Sequence, residues 1–508
     1  MILKKKSFLS AIAIAAAIFC STSVCAFADD TSDDYLHTNG SKIFDQYNNE
    51  VRLTGVAWFG YETPEAIFHG LWASSYQSMI DTVADRGFNL MRIPLSVATV
   101  TKWRNGETTE ARSVDVNTYP ELKGLGGEQI LDKAVAYCKK KGVKIMFDMH
   151  RVYTGDQSPV WHDRGYTTED FEEAWRYLAK KYKDDDTVIA CDLFNEPHGK
   201  AYRKETHATW DESEDENNWK YEAEKVGNII LDENPNLLLM VEGVETYPAE
   251  GYKYGDVGQH CYEGGWWGGN LMGVKEHPID LGTPERNNKV VYAPHDYGPG
   301  VSQQAWFEKD FNVETLKDDI WRKSWLYIKE QNIAPVLIGE WGGRLDGGKN
   351  QQWLECMAQL IVEENLNHTF WCLNPNSGDT GGVYKDDLRS VDEEKYALIK
   401  PTLWQNDNGE FIGLDHQVNL GKNGTHVGGT TVVNPPVETP DEPPIETPVT
   451  SLVGDVDGDG TINIADYTLL KKYINSGSTG IEINISNSDI NEDGKVNFLD
   501  LLALKSLV

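Results

Sequence analysis

Eight short apolar runs punctuate the first four-fifths of the chain. They are Val51–Phe59, Phe88–Pro94, Val143–Met149, Val188–Phe194, Leu237–Glu242, Lys289–His295, Ala334–Glu340 and Thr369–Leu373. Most are apolar throughout rather than alternating, as strands covered on both faces must be. Stretches of helical periodicity lie between them, among them Ser74–Arg86, Gly127–Lys141, Thr168–Lys183 and Gln351–Glu364. Eight strands alternating with helices over residues 30–405 predict an α/β fold, a (β/α)8 TIM barrel.

The rest of the chain follows other rules. Lys4, Lys5 and Lys6 precede an apolar run from Ala11 to Phe19, and Ala26-Phe27-Ala28 supplies a small-residue cleavage site, so residues 1–28 read as a secretory signal peptide. The apolar run is too short to span a bilayer. Residues 427–452 read as a Pro-rich, acidic linker: between Asn434 and Thr450 lie six prolines and four acidic residues without a Lys or Arg. Residues 406–426 fit neither neighbour and stay unassigned. Residues 453–508 form a small repeat of their own, expected to be all-α.

Composition narrows the partners. The 508 residues carry 80 acidic and 47 basic side chains, a net charge of −33, which disfavours nucleic acid and anionic membrane surfaces. Sixteen Trp and 23 Tyr supply flat apolar faces suited to sugar rings. Five cysteines remain beyond the signal, Cys138, Cys191, Cys261, Cys356 and Cys372, and their spacing fits neither a metal motif nor a disulfide framework. They read as buried free thiols.

The strand ends carry the chemistry. Trp58, Arg92, His150, Asn195-Glu196, Glu242, His295, Glu340 and Trp371 lie in or just after the successive runs. In a barrel these ends converge on one mouth, where active sites form. Glycosidic cleavage needs two carboxyl groups. Glu196, in Asp192-Leu193-Phe194-Asn195-Glu196-Pro197-His198, and Glu340, in Ile338-Gly339-Glu340-Trp341-Gly342-Gly343, close the fourth and seventh strands and face across the cavity.

With Asn195-Glu196-Pro197, His295-Asp296-Tyr297, Gly339-Glu340 and the run Asn374 to Gly382, the barrel zone resembles glycoside hydrolase family 5. Trp58-Phe59-Gly60-Tyr61-Glu62 and His69-Gly70-Leu71-Trp72 are similar to its cellulase branch. The resemblance implies a retaining endo-β-1,4-glucanase acting on cellulose or related β-glucans; the alternatives are a mannanase, xyloglucanase or mixed-linkage glucanase on the same barrel, or a non-catalytic carbohydrate-binding component. It makes Glu196 the general acid/base and Glu340 the nucleophile, supported by Arg92, His150, Asn195, His295 and Tyr297. Trp371 would be the platform at the cleavage point, with Trp58, Trp266 and Trp267 as further stacking candidates. No metal or cofactor is needed for that chemistry. Leu373 stands where that branch often has a second aromatic, which implies a weaker subsite.

The C-terminal repeat contains two twelve-residue loops 34 positions apart, Asp455–Asp466 and Asp489–Asp500. Oxygen ligands at alternate positions and a glycine at the sixth fit a calcium loop. The expected ligands to two Ca²⁺ are Asp455, Asp457, Asp459, Thr461 and Asp466, then Asp489, Asn491, Asp493, Lys495 and Asp500, Thr461 and Lys495 through main-chain carbonyls. A proline-rich stretch precedes the first loop, leaving only an exiting helix. That arrangement resembles a dockerin, which implies a cohesin domain on a scaffoldin as partner and an extracellular, cellulosome-attached enzyme. The partner-reading positions, Ile464-Ala465 and Phe498-Leu499, differ between the repeats.

Overall fold

The computed structural model describes residues 34–428, 452–475, 481–491, 493–505 and 507–508. The signal segment and nearly all of the proline-rich stretch lie outside the described residues. The eight barrel strands are β1 (Thr54–Ala57), β2 (Leu90–Ser96), β3 (Lys144–Arg151), β4 (Val188–Asp192), β5 (Leu238–Val241), β6 (Val290–Tyr292), β7 (Leu337–Trp341) and β8 (Asn367–Phe370). All pair in parallel, in the order β6-β5-β4-β3-β2-β1-β8-β7. Single parallel bridges, Tyr292 to Val336 and His295 to Glu340, join β6 to β7 and close the ring.

Between strands lie α1 (Tyr76–Asp85), α2 (Gly127–Lys141), α3 (Thr168–Lys181), α4 (Trp219–Glu233) and α5 (Lys349–Glu363). Local chemistry fixes their ends. The Thr167 side chain accepts from the Asp170 N–H while Asp170 answers the Thr167 N–H, a reciprocal cap that starts α3. Gly142 at φ +69° ends α2 in the left-handed region that favours glycine.

The strand limits differ from the apolar runs by up to three residues, and two of these shifts bear on the site. The eighth strand begins at Asn367, earlier than the apolar run starting at Thr369. Asn367 and His368 are polar yet buried: Asn367 accepts from the Leu53 N–H and donates to the Val336 carbonyl, and His368 meets the Trp341 indole N–H. Trp371 therefore follows β8 rather than lying in it. The sixth strand ends at Tyr292, although the bridge at His295 continues its course.

The barrel interior changes character with height. An apolar layer of Leu90, Met146, Ala190, Met240 and Ala293 is fully enclosed. Inward side chains recur every second residue along a strand. Stepping two positions towards the mouth gives Arg92, Asp148, Asp192, Glu242 and His295, each 0% exposed. One parity thus builds a dry core below and a charged layer above it.

Residues 406–426, unassigned from sequence, belong to the floor of the barrel domain. Ile412–Gly413 pairs with Thr425–His426, and Leu414 joins the apolar cluster beneath the barrel. Beside it the buried Lys144 ammonium lies 2.6 Å from Asp34 and 3.1 Å from Asp415. His416 bridges Asp34 (2.5 Å) and Asp45 (3.0 Å). Burial alone would lower the His416 pKa, but its hydrogen bonds to the two carboxylates raise it above the ordinary value. A raised folded pKa stabilises fully below the unfolded value, about 6.5, and the gain is lost as pH rises through the folded value. Urea unfolding should accordingly show His416→Gln less stable than the parent chain by a gap that is widest below pH 6.5 and narrows at higher pH.

In the C-terminal repeat, α6 (Ile464–Asn475) and α7 (Phe498–Lys505) exit the two loops and pack together. Among the described residues no helix enters the first loop. No helix of the described residues is long and apolar enough to cross a membrane.

Candidate active site

The charged layer opens into a cleft of about 750 Å³, lined by His150, Glu196, Tyr297, Glu340, Trp371 and the loop residues described below. Glu340 sits within β7, and Glu196 lies four residues beyond the end of β4. A carboxylate oxygen of each, together with a His295 ring nitrogen, lie within 4.8 Å of one another. Gly339, next to Glu340, leaves room for the His295 ring: a Cβ there would come 2.7 Å from Nε2.

Arg92 organises the layer. Its guanidinium donates to Glu340 Oε1 (2.5 Å), Asp192 Oδ2 (2.9 Å) and Asn195 Oδ1 (2.9 Å), and approaches Asp148 at 3.1 Å. The Tyr297 hydroxyl donates to the other Glu340 oxygen at 2.5 Å. His150 Nδ1 bonds Asp148 (2.7 Å), and its ring stacks on Trp371. Asn195 accepts from Arg92 while its buried amide nitrogen has no protein partner, leaving a donor beside the cleft.

The two glutamates sit in opposed electrostatic settings. Burial pushes the Glu196 pKa up, and the charge on Glu340 adds to the rise, partly offset by a hydrogen bond from His295. Burial would also push Glu340 up, but the His295 ring, Arg92, His150 and the Tyr297 hydroxyl hold it below the ordinary carboxylate value. Two carboxyls whose environments drive them apart are the signature of an acid/base pair with separate tasks. Glu196 itself has φ +53°, a left-handed conformation that costs a non-glycine residue about 1–3 kcal/mol and persists only when its surroundings enforce it.

The structure thus brings Arg92, His150, Asn195, Glu196, His295, Tyr297, Glu340 and Trp371 together. It separates Trp58 from them. That ring is 0% exposed, stacks on Phe68 at 4.0 Å and donates its indole N–H to the His69 carbonyl. Trp58 is a core residue, and its assignment as a stacking platform is corrected. Trp267 is 41% exposed at the cleft wall with one face on His198. Trp266 also lines the cleft but is only 3% exposed, with its N–H donated to the Tyr297 carbonyl.

Several site residues escaped the sequence reading. Asp148 and Asp192 were hidden inside apolar runs, although their parity with Arg92 marks them as inward. Gln157 donates to Glu196 Oε2 at 3.1 Å from the loop after β3. Tyr202, Tyr262 and Trp306 line the cleft from the connections after the barrel strands, Tyr262 on a short strand (Tyr262–Gly264) and Trp306 on a 3-10 turn (Ala305–Phe307), and no local pattern announces where such a connection leads.

The five cysteines are free and buried, as expected. In the first C-terminal loop, oxygens of Asp455, Asp457 and Asp459 lie within 4.8 Å of one another, and Asp455 Oδ1 is buried without a partner. Asp466 and Asp500 each accept main-chain N–H groups across their own loops. This donor set of hard oxygens around a buried lone pair suits Ca²⁺.

Comparison with known proteins agrees with this chemistry. Residues 44–377 match the cellulase (glycosyl hydrolase family 5) family, and residues 453–508 match the dockerin type I domain. Endoglucanase G of Acetivibrio thermocellus is 43% identical over 90% of this chain and 89% of its own length. An endoglucanase of Paenibacillus polymyxa is 40% identical over 72% of this chain and 86% of its own. Among solved structures, the hyperthermophilic endocellulase of Pyrococcus horikoshii superposes with a TM-score of 0.65 at 32% identity, covering 73% of this chain and 98% of that one.

Proposed function

Because this chain belongs to glycosyl hydrolase family 5, we propose that it is a secreted, retaining endo-β-1,4-glucanase that cleaves cellulose or related β-glucans by double displacement. Glu340 attacks the anomeric carbon while Glu196 protonates the departing glycosidic oxygen. With the Glu340 charge consumed in the glycosyl ester, Glu196 is free to ionise and takes a proton from the water that releases the sugar. Arg92 and Tyr297 hold Glu340 oriented, Asn195 offers its free N–H to the 2-hydroxyl, and Trp371 forms the floor under the reacting ring. The observation that carries this reading is the approach of Glu196 and Glu340 oxygens to within 4.8 Å. Retaining pairs stand about 5–5.5 Å apart, against about 6.5–9.5 Å where a water must fit between.

The terminal repeat supports a second role, attachment to a scaffoldin through a cohesin domain. Two Ca²⁺ would be held by Asp455, Asp457, Asp459, the Thr461 carbonyl and Asp466, and by Asp489, Asn491, Asp493, the Lys495 carbonyl and Asp500. Bound calcium would neutralise clustered carboxylates and fix the orientation of α6 and α7.

Reducing-end release from carboxymethyl-cellulose, mannan and xylan, with and without EDTA, tests both roles. Carboxymethyl-cellulose should be the preferred substrate, and EDTA should leave its hydrolysis intact while abolishing cohesin capture until calcium is restored. Preference for mannan or xylan would overturn the glucanase reading, and cohesin capture in EDTA would overturn the calcium role.

A further inference from the structure

Among the buried carboxyls of the charged layer that the steps above leave unused, Glu242 is the one that accepts the main-chain N–H of Glu196. Glu242 follows β5 directly and is fully enclosed. Its Oε2 accepts the main-chain N–H of Glu196 at 2.8 Å. Its Oε1 lies 3.0 Å from His295 Nε2, a charge contact outside hydrogen-bond alignment, and the other ring nitrogen of His295 lies 3.2 Å from Glu196 Oε1. One carboxyl therefore meets Glu196 from two directions, at the backbone and, through an imidazole, at the side chain.

Both contacts fall where Glu196 needs support. The N–H that Glu242 accepts belongs to the residue at φ +53°. The space around Glu242 is kept for it as well. Gly268, at φ +67°, passes so near that a Cβ would come 2.1 Å from Oε2. The Gly268 N–H donates to the Pro197 carbonyl and its own carbonyl accepts from Gly243, so the chain after Glu242 and the turn after Glu196 are joined through it. Arg92 stands 3.6 Å from Oε1.

We propose that Glu242 is a positioning residue for Glu196: it holds the left-handed backbone that aims the acid/base into the cleft and orients the His295 ring that contacts the same carboxyl. The assignment rests on the glycosidase reading of the site. It differs from a purely structural role in one respect. A misplaced acid hurts most where the leaving group needs a proton, whereas general loosening of the barrel hurts every substrate alike.

Two variants separate these effects. Glu242→Gln keeps an oxygen for the Glu196 N–H but loses the charge beside His295, and Glu242→Leu loses both. The readout is kcat/KM on cellotetraose, whose sugar leaving group needs protonation, divided by kcat/KM on 2,4-dinitrophenyl β-cellobioside, whose phenolate departs without it. General acid assistance is worth about 10²–10⁴-fold, so this ratio should fall by about 10²-fold in Glu242→Leu and by about tenfold in Glu242→Gln. If the leucine variant does not fold, the glutamine variant decides alone. A parent chain that cleaves both substrates, with the ratio unchanged in Glu242→Gln, overturns the assignment and leaves the glycosidase reading standing. A parent chain that cleaves neither overturns both.

Discussion

Glu340→Gln should lower the hydrolysis of cello-oligosaccharides on the order of 10⁵-fold, the scale seen when a covalent nucleophile is removed from a preorganised site. The side chain keeps its shape and can still face Arg92 Nη1 and the Tyr297 hydroxyl, its partners at 2.5 Å each. Only the charge that forms the glycosyl ester is gone. Glu340→Ala opens space as well, and a small anion such as azide should enter from the face that Glu340 guards. The product of that rescue should be the α-glycosyl azide, since a single displacement inverts the centre. Glu196→Ala should behave differently: it should retain activity on aryl glycosides with good leaving groups, and azide should yield the β-azide after the Glu340 ester has formed. Mass spectrometry and proton NMR of the azide products check both statements, and matching products from the two variants would contradict the division of labour.

The second large effect falls on stability. Arg92 is 0% exposed and is the guanidinium among Asp148, Asp192, Glu242 and Glu340. Arg92→Met strands buried negative charge, and removing one partner from a buried ion pair costs about 3–5 kcal/mol. The loss should depend on pH. Burial already pushes Asp148 up to about 7 and Asp192 up to about 6, with Arg92 opposing that rise in both. Without the cation they rise further, so the variant is least stable relative to the parent at neutral pH and above. The deficit shrinks as acid neutralises the stranded carboxyls. Arg92→Lys restores a positive charge but cannot reach Glu340, Asp192 and Asn195 together, because an ammonium lacks the planar fork. It should recover part of the stability and little of the activity. Urea unfolding at pH 5 and pH 7.5 measures the difference, and an equal deficit at both would contradict the charge argument.

The barrel was legible because a strand buried on both faces must be apolar along its length, and every run overlaps its strand, with ends that move by up to three residues. β8 was placed late because Asn367 and His368 find partners within the fold and so tolerate burial. The catalytic candidates were legible for a related reason: Glu196, Glu340, Arg92 and His295 are ionisable groups at the ends of otherwise apolar runs, where water cannot explain them. Trp58 shares that location but turns to Phe68 behind the sheet, and composition alone does not tell an aromatic in a core from one in a cleft. Gln157, Tyr202, Tyr262 and Trp306 arrive on connections between barrel strands whose paths depend on long-range contacts. Residues 406–426 stayed unassigned because they are tied down by charges far away in sequence, at Asp34, Asp45 and Lys144.

The retaining geometry is the claim on which the rest depends: an attacking carboxylate and a proton donor with oxygens within 4.8 Å, too close for an in-line water. Proton NMR of the anomeric signals during the first minutes of cellopentaose hydrolysis reads this out before mutarotation scrambles it. The reducing ends should appear first as the β anomer and equilibrate towards α with time. Initial appearance of the α anomer would mean that water attacks directly, and Glu340 would not be the nucleophile.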